Sequence, residues 1–206
     1  MLQNNIGTFV IYAPMCGADV SLPLYPKERY LEIAGCKNDR VKTEKYLVWK
    51  LLEKVVRDIL KLNFDNLQFT KTENGKWLCP DFYFSLSHTD DLVCVAVSDS
   101  PVGVDAQIVH PIRTEIMHRI LAPEERCDFD ALPEDEKSTF LLEAWCKKES
   151  IFKKRGGQAL MPMLIDSSRH DVTLKYVQLA GKRYRHLIAV CCDSANNIEF
   201  RFMEEI

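Results

Sequence analysis

A chain of 206 residues, 47% of them hydrophobic, is long enough to bury one substantial core or two of about 100 residues each, and too apolar to stay disordered. A net charge of -3 with 28% charged residues excludes a broadly basic surface for nucleic acid or anionic membrane, so any binding of phosphate has to be local. No stretch approaches the ~20 apolar residues of a membrane span, and Met1 to Ile11 lacks the basic start and apolar run of a secretory signal, which makes the cytoplasm the expected location.

In chain order, Gly7 to Met15 is rich in β-formers and stops at Pro14, as a short strand does. A helix is expected to start near Pro26. From Lys42 to Leu62, Leu47, Leu51, Leu52, Val55, Val56, Ile59 and Leu60 recur at three- and four-residue steps with Lys and Arg opposite, predicting a long amphipathic helix. Short β-like pieces follow at Leu67 to Thr70, Phe82 to Leu86 and Leu92 to Val97, with an Asn74-Gly75 turn after the first. Ser98-Asp99-Ser100-Pro101 reads as a turn, and beyond it Val102, Val104 and Ala106 alternate with Gly103, Asp105 and Gln107, as on a strand with one buried face.

Helical patterns return from Pro111 to Ile120 and from Lys137 to Lys154, the second behind an acidic start at Pro133-Glu134-Asp135-Glu136. The tail reads as a meander of Val172 to Leu179, Arg183 to Cys192 and Ile198 to Met203, parted by Ala180-Gly181-Lys182 and Ser194-Ala195-Asn196-Asn197. Each half thus combines helices with antiparallel strands. The expected fold is α+β in two similar lobes, 1–98 and 101–206, divided at the 98–101 turn and working as one unit. Eight cysteines (16, 36, 79, 94, 127, 146, 191 and 192) form no C-x-x-C pair and five histidines are scattered, so the thiols read as reduced and any metal would take oxygen ligands.

Three places carry candidate chemistry. Asp105 and Gln107 share a strand face, two oxygen donors about 6.6 Å apart along the strand, which suits a cation held from one side. Trp145, Glu149 and Phe152 fall at i, i+4 and i+7 of a helix, setting a carboxylate into an apolar stripe with Lys153 one turn on. Phe84-Ser85-Leu86-Ser87-His88-Thr89 runs a strand into hydroxyls and an imidazole that could meet phosphate oxygens; no Gly-x-Ser-x-Gly elbow marks a serine hydrolase. Each also has an ordinary reading: a strand end, an exposed Glu-Lys pair, a polar strand terminus.

Together and in order, Gly75-Lys76, Phe84-Ser85-Leu86-Ser87-His88, Val102-Gly103-Val104-Asp105 and Trp145-Cys146-Lys147-Lys148-Glu149-Ser150 with Lys153 resemble the motifs of the surfactin-synthetase-type (Sfp-type) 4'-phosphopantetheinyl transferases. The resemblance spans about Gly75 to Leu160, and its last two motifs are the specific ones. It implies a pair of α+β lobes with coenzyme A, the co-substrate, in the cleft between them. It further implies transfer of the phosphopantetheine arm to a serine of an acyl or peptidyl carrier protein, with release of 3',5'-ADP.

By matching motif, Asp105 and Glu149 would ligate Mg2+, with Gln107 adding an amide oxygen where many relatives have a second acidic residue. Lys153 would contact phosphate and Lys148 would add positive potential. Glu149 or, as the weaker candidate, Glu125 would accept the serine proton directly or through water. Ser87 and His88 would hold phosphates, Gly75 and Lys76 would lie near the adenine, and Arg40, Lys42 or Lys45 could meet the 3'-phosphate. The resemblance implies neither a nucleic-acid nor a membrane partner, and two lobes in one chain imply a monomer. Gln107 leaves a non-transferring coenzyme A-binding protein as one alternative, and a divalent-metal phosphohydrolase is another.

Overall fold

The structure is a computed structural model that describes residues 7–15, 19–157, 159–193 and 197–206; Cys16 and turn residues 194–196 lie outside them. Among the described residues nine strands and five α-helices follow in blocks, β1, α1–α2, β2–β6, α3–α5 and β7–β9, which is the α+β class. The first sheet has the order β4 (Tyr83–His88), β5 (Leu92–Ser98), β1 (Thr8–Pro14), β9 (Ile198–Phe202). The second has the order β6 (Val102–Ile108), β8 (Arg185–Cys192), β7 (Val172–Gln178), and Thr70–Lys71 (β2) pairs with Trp77–Leu78 (β3) in a small hairpin.

Strand β5 explains the stacking. All seven of its residues are buried, and side chains alternate across a strand. Val93, Val95 and Val97 face helix α2 (Asp39–Asp58), joining Leu47, Leu51, Leu52, Val55 and Val56 around Trp49. Leu92, Cys94 and Ala96 face the second sheet, meeting Val102, Val104, Ala106, Ile188 and Val190. The far side of that sheet, through Leu187 and Ala189, packs on Leu142 and Cys146 of helix α5 (Glu134–Arg155). The order of layers is therefore α2, first sheet, second sheet, α5.

Several elements differ from expectation. The second sheet is antiparallel, but β9 lies parallel to β1, from Thr8 opposite Ile198 to Tyr12 opposite Phe202. The tail is a β7–β8 hairpin whose third strand leaves for the first sheet, where Ile198 and Phe200 pack on the shared core. Helix α2 starts at Asp39, earlier than its apolar stripe, because the Asn38 side chain accepts the Val41 N–H at 3.1 Å and caps it. Residues 111–113 are not helical: a 3-10 turn (Thr114–Ile116) leads into α3 (Met117–Ile120), while the Ile112 N–H goes to the Ser138 hydroxyl. Helix α4 (Pro123–Ala131) was not expected; Pro123 opens it and Glu125 accepts the Ala122 N–H at 2.8 Å. Helix α1 spans Lys27–Ala34.

Cys94, Cys146, Cys191 and Cys192 are buried free thiols, Cys36 and Cys79 half-buried, and Cys127 is exposed. Among the described residues no helix is long and apolar enough to cross a membrane.

Candidate active site

The site begins where two sheet edges meet. Strand β4 ends the first sheet and β6 the second, so the outward N–H groups of β6 need partners that no backbone strand supplies. Serine side chains supply them: the Ser85 hydroxyl accepts the Val104 N–H and the Ser87 hydroxyl the Ala106 N–H, both at 3.0 Å. The alternate serines of Ser85-Leu86-Ser87 stitch one edge to the other. Gly103 does the equivalent work toward α5. A Cβ there would lie 1.9 Å from the Ser150 carbonyl oxygen and 2.5 Å from the Lys154 nitrogen, so only glycine lets the helix cross β6 this closely.

That close crossing sets Asp105 and Gln107 of β6 against Trp145, Glu149 and Lys153, successive turns of α5. Asp105, only 3% exposed, is held on every side. Its Oδ1 accepts from Lys153 Nζ at 2.7 Å and from Ser87 Oγ at 3.1 Å, its Oδ2 from Gln107 Nε2 at 2.7 Å, and Lys153 also donates to Ser87 Oγ at 3.1 Å. Burial would lower the Lys153 pKa, but Asp105 and then Glu149 hold it above the usual lysine value. Glu149 shows the opposite balance: burial first, then repulsion from Asp105, raise its pKa against the pull of Lys153. No hydrogen-bond or ion-pair partner of Glu149 occurs among the described residues.

These groups line an open cavity of about 830 Å³ together with Ser87, His88, Thr89, Asp90, His110 and Tyr184. The His88 imidazole is pulled below the usual histidine pKa by burial, with Glu44 and Asp105 opposing and Lys153 and Lys45 assisting. A second cavity of about 350 Å³ adjoins it through Leu86 and Lys153, lined by Lys45, Gly75, Lys76, Trp77, Phe84 and Phe152 among others. Gly75 sits at φ +84° in the β2–β3 turn, a conformation that favours glycine. The Lys76 ammonium donates to the Lys153 and Lys154 carbonyls at 2.6 and 3.1 Å, capping the C-terminal end of α5. A third hollow of about 500 Å³ shares Gln107, His110 and Trp145 with the first and adds Ile112, Arg113, Ile116 and Arg119.

The structure thus gathers Ser87, His88, Asp105, Gln107, Glu149 and Lys153 at one cavity, and Lys45, Gly75 and Lys76 at its neighbour. It does not bring Lys148 or Glu125 to either. Lys148 lies on the opposite face of α5, wholly buried, donating to Glu125 and to the Ile120 and Pro162 carbonyls. Glu125 also accepts from the Ala122 N–H and from the Ser167 N–H and hydroxyl. The pair locks α4, α5 and the 162–167 loop together, and neither charge is free for a substrate. Two further expectations change in detail. The Ser87 hydroxyl is committed to Asp105, Ala106 and Lys153 rather than open to phosphate, and Gln107 turns its amide N–H, not its oxygen, to Asp105. Arg40 is engaged by Glu44 and Asp90.

The sequence reading missed Glu44, which stands behind His88. Its one signal was the i, i+4 spacing from Arg40 on a helix.

Comparison with known proteins points the same way as the geometry. Residues 101–197 match the sequence profile of the 4'-phosphopantetheinyl transferase superfamily. The chain is 30% identical over 109 residues to 4'-phosphopantetheinyl transferase psf-1 of Bacillus pumilus, covering 52% of this chain and 47% of that protein. Over 116 residues it is 29% identical to 4'-phosphopantetheinyl transferase Sfp of Bacillus subtilis (strain 168), covering 55% and 52%. Over 101 residues it is 29% identical to 4'-phosphopantetheinyl transferase AcpT of Escherichia coli (strain K12), covering 47% and 52%. The chain spans about half the length of these relatives.

Proposed function

We propose that this chain, which matches the 4'-phosphopantetheinyl transferase superfamily over residues 101–197, moves the 4'-phosphopantetheine arm of coenzyme A onto a serine hydroxyl of an apo acyl or peptidyl carrier protein, releasing 3',5'-ADP. The observation that carries this reading is the convergence of Asp105, Glu149, Lys153 and His88 on one open cavity. Coenzyme A would lie along the seam between a lobe of residues 1–98 and one of 101–206, its phosphates in the large cavity and its adenine toward Gly75, Trp77 and Phe152 in the adjoining one.

The donor set fits a hard divalent cation such as Mg2+. Two carboxylates face one cavity, and burial and then Asp105 raise the Glu149 pKa, a cost that an adjacent cation would relieve. Among the described residues no group of three or more His, Cys, Asp and Glu could hold a metal. Asp105 and Glu149 alone suit Mg2+, which keeps several waters and binds through one or two carboxylates plus substrate phosphates. Gln107 would orient Asp105 rather than serve as a third charged ligand. The chemistry a bound ion supplies is neutralisation of pyrophosphate charge.

The chain's own groups account for the rest. Lys153 stays protonated and sits where it can exchange Asp105 for a phosphate oxygen, stabilising the departing 3',5'-ADP. His88 faces the phosphates. Glu149, a carboxylate without a partner among the described residues, accepts the serine proton directly or through water, while Glu125 is fully engaged elsewhere. The carrier would dock at the apolar hollow of Ile112 and Ile116, where Arg113 and Arg119 offer charge beside the cavity mouth. We place the reaction in a reducing compartment, as the free thiols suggest, and in a monomer.

Incubation with coenzyme A, Mg2+ and a panel of apo carriers, followed by mass spectrometry, tests this. The expected result is one added phosphopantetheine per carrier, lost in a folded Glu149→Gln variant. No added mass on any carrier overturns the reading, as does near-normal transfer by Glu149→Gln; cleavage of coenzyme A without a carrier would indicate a phosphohydrolase instead.

A further inference from the structure

We propose that Glu44 is a positioning residue for His88: its buried carboxylate holds the imidazole by Nδ1, so that Nε2 is the nitrogen offered to the phosphates of coenzyme A. The inference rests on the coenzyme A reading of the large cavity, and it concerns a residue outside the motifs named above and outside the matched region 101–197.

Glu44 lies on α2 and is only 5% exposed. A glutamate so far from water needs partners, and it has them on two sides. Its Oε1 accepts from Arg40 Nε at 2.9 Å, one helical turn back, and Arg40 continues to Asp90 in the β4–β5 turn. Its Oε2 lies 3.3 Å from His88 Nδ1 at the end of β4. Arg40 thus fixes the carboxylate on the helix, and the carboxylate in turn fixes the ring on the strand. His88 lines the cavity and Glu44 does not, so the acid acts from behind.

The two nitrogens of a histidine are distinct, and the partner of one decides what the other presents. Glu44 Oε2 approaches the Nδ1 side of the ring, at 3.3 Å, and Nε2 is left for the cavity side. A phosphate oxygen there and Glu44 behind would flank the ring from opposite ends, and both would accept from it once the ring binds a second proton beside the phosphate. The charged groups around the ring are Glu44 and Asp105, which favour its cation, and Lys153 and Lys45, which oppose it. Without Glu44 the ring would lose its one anchoring acid on α2 and could turn either nitrogen to the cavity. Arg40 would also be released, so the test has to separate the two effects.

A double-mutant cycle does so. Coenzyme A affinity is measured by calorimetry, without carrier, for the parent, Glu44→Gln, Glu44→Asp, His88→Ala and Glu44→Gln/His88→Ala. Thermal melting confirms that each is folded. Glu44→Gln should weaken binding about tenfold in the parent, the low end of what removing the partner behind a functional histidine costs. It should cost less than twofold once His88 is alanine, and Glu44→Asp should recover part of the loss. Equal losses in both backgrounds, or none in the parent, overturn the proposal.

Long-range imidazole nitrogen spectra of the ligand-free protein give a second readout. Glu44→Gln should shift the His88 tautomer away from Nδ1–H, and an unchanged ring spectrum also overturns the proposal. A parent that binds no coenzyme A contradicts the reading of the cavity, while the ring spectrum still decides whether Glu44 orients His88.

Discussion

Asp105 shows how much one side chain can be asked to do. Its carboxylate takes an ammonium, a hydroxyl and an amide N–H, so both of its buried oxygens have partners without a metal. Gln107 is the unusual member of that set, because an acidic residue there would face Asp105 with like charge. Gln107→Glu is therefore expected to cost on the order of 1 kcal/mol in the metal-free protein, through a lost hydrogen bond and added repulsion. Mg2+ should restore more stability to it than to the parent, since a third carboxylate strengthens the ligand set. Melting curves with and without Mg2+ check this; equal Mg2+ shifts in the two proteins would contradict it. That Asp105 and Gln107 share a face was legible in the sequence, from the two-residue period of a strand. The use of Ser87 was not, because its partners lie on an edge strand and a helix that only tertiary folding brings near.

Among elements, the crossing of β6 and α5 is the most demanding. With the Ser150 carbonyl 1.9 Å from where a Cβ would stand, Gly103→Ala has to push helix from strand. A loss of roughly 1–3 kcal/mol or more is expected, as for other overpacked cores, and the proposed transfer activity should fall more steeply because Glu149 and Lys153 move with the helix. Denaturant titration beside the activity assay would show it, and unchanged stability would contradict the crossing. Glycine in Val-Gly-Val-Asp reads from sequence as one residue of a strand or of its turn end; its steric purpose appears once α5 lies over it.

Helix α4 has a similar history. Its opening Pro and third-position Glu are helix-start signals, yet Glu125 also reaches Lys148 and Ser167, which no local pattern foretells. Burial would raise the Glu125 pKa, but the Lys148 ammonium and the Ser167 donors hold it below the usual glutamate value of about 4.3. A carboxyl depressed on folding contributes stability that is full above the unfolded value and is lost as pH falls through the folded one. Glu125→Gln should accordingly be less stable than the parent at pH 7, with the gap closing below about pH 4. A gap independent of pH between 7 and 3 would contradict the ionised pair.

At the scale of the molecule, the α+β class was legible in the alternation of periods along the chain, but the stacking was not. An apolar strand such as Leu92 to Val97 announces that both faces are covered without saying by what. Here one face meets α2 and the other the second sheet, and Val10, Leu92, Cys94 and Ala96 share a core with Val104, Ile188 and Val190. The strand β9 adds a covalent return from the second half to the first sheet, and the buried His186 of β8 reaches Asp91 of the β4–β5 turn at 2.6 Å.

Two halves joined by a common core, a crossing strand and a buried hydrogen bond should not unfold separately. Tryptophans stand on both sides to report it: Trp49 and Trp77 in the first half, Trp145 in the second. In denaturant, the fluorescence of Trp145 in a variant lacking the other two and that of Trp49 in a variant lacking Trp77 and Trp145 should each follow the circular dichroism of the same variant, with one midpoint. Two separated midpoints within either variant would mean that the sheets hold their structure independently. The same coupling should carry substrate effects across the seam. Coenzyme A bound at residues of both sheets would raise the single midpoint as a whole, by an amount set by its concentration over its dissociation constant. A ligand effect confined to one probe would place the binding groups within one sheet and its helix rather than across the two.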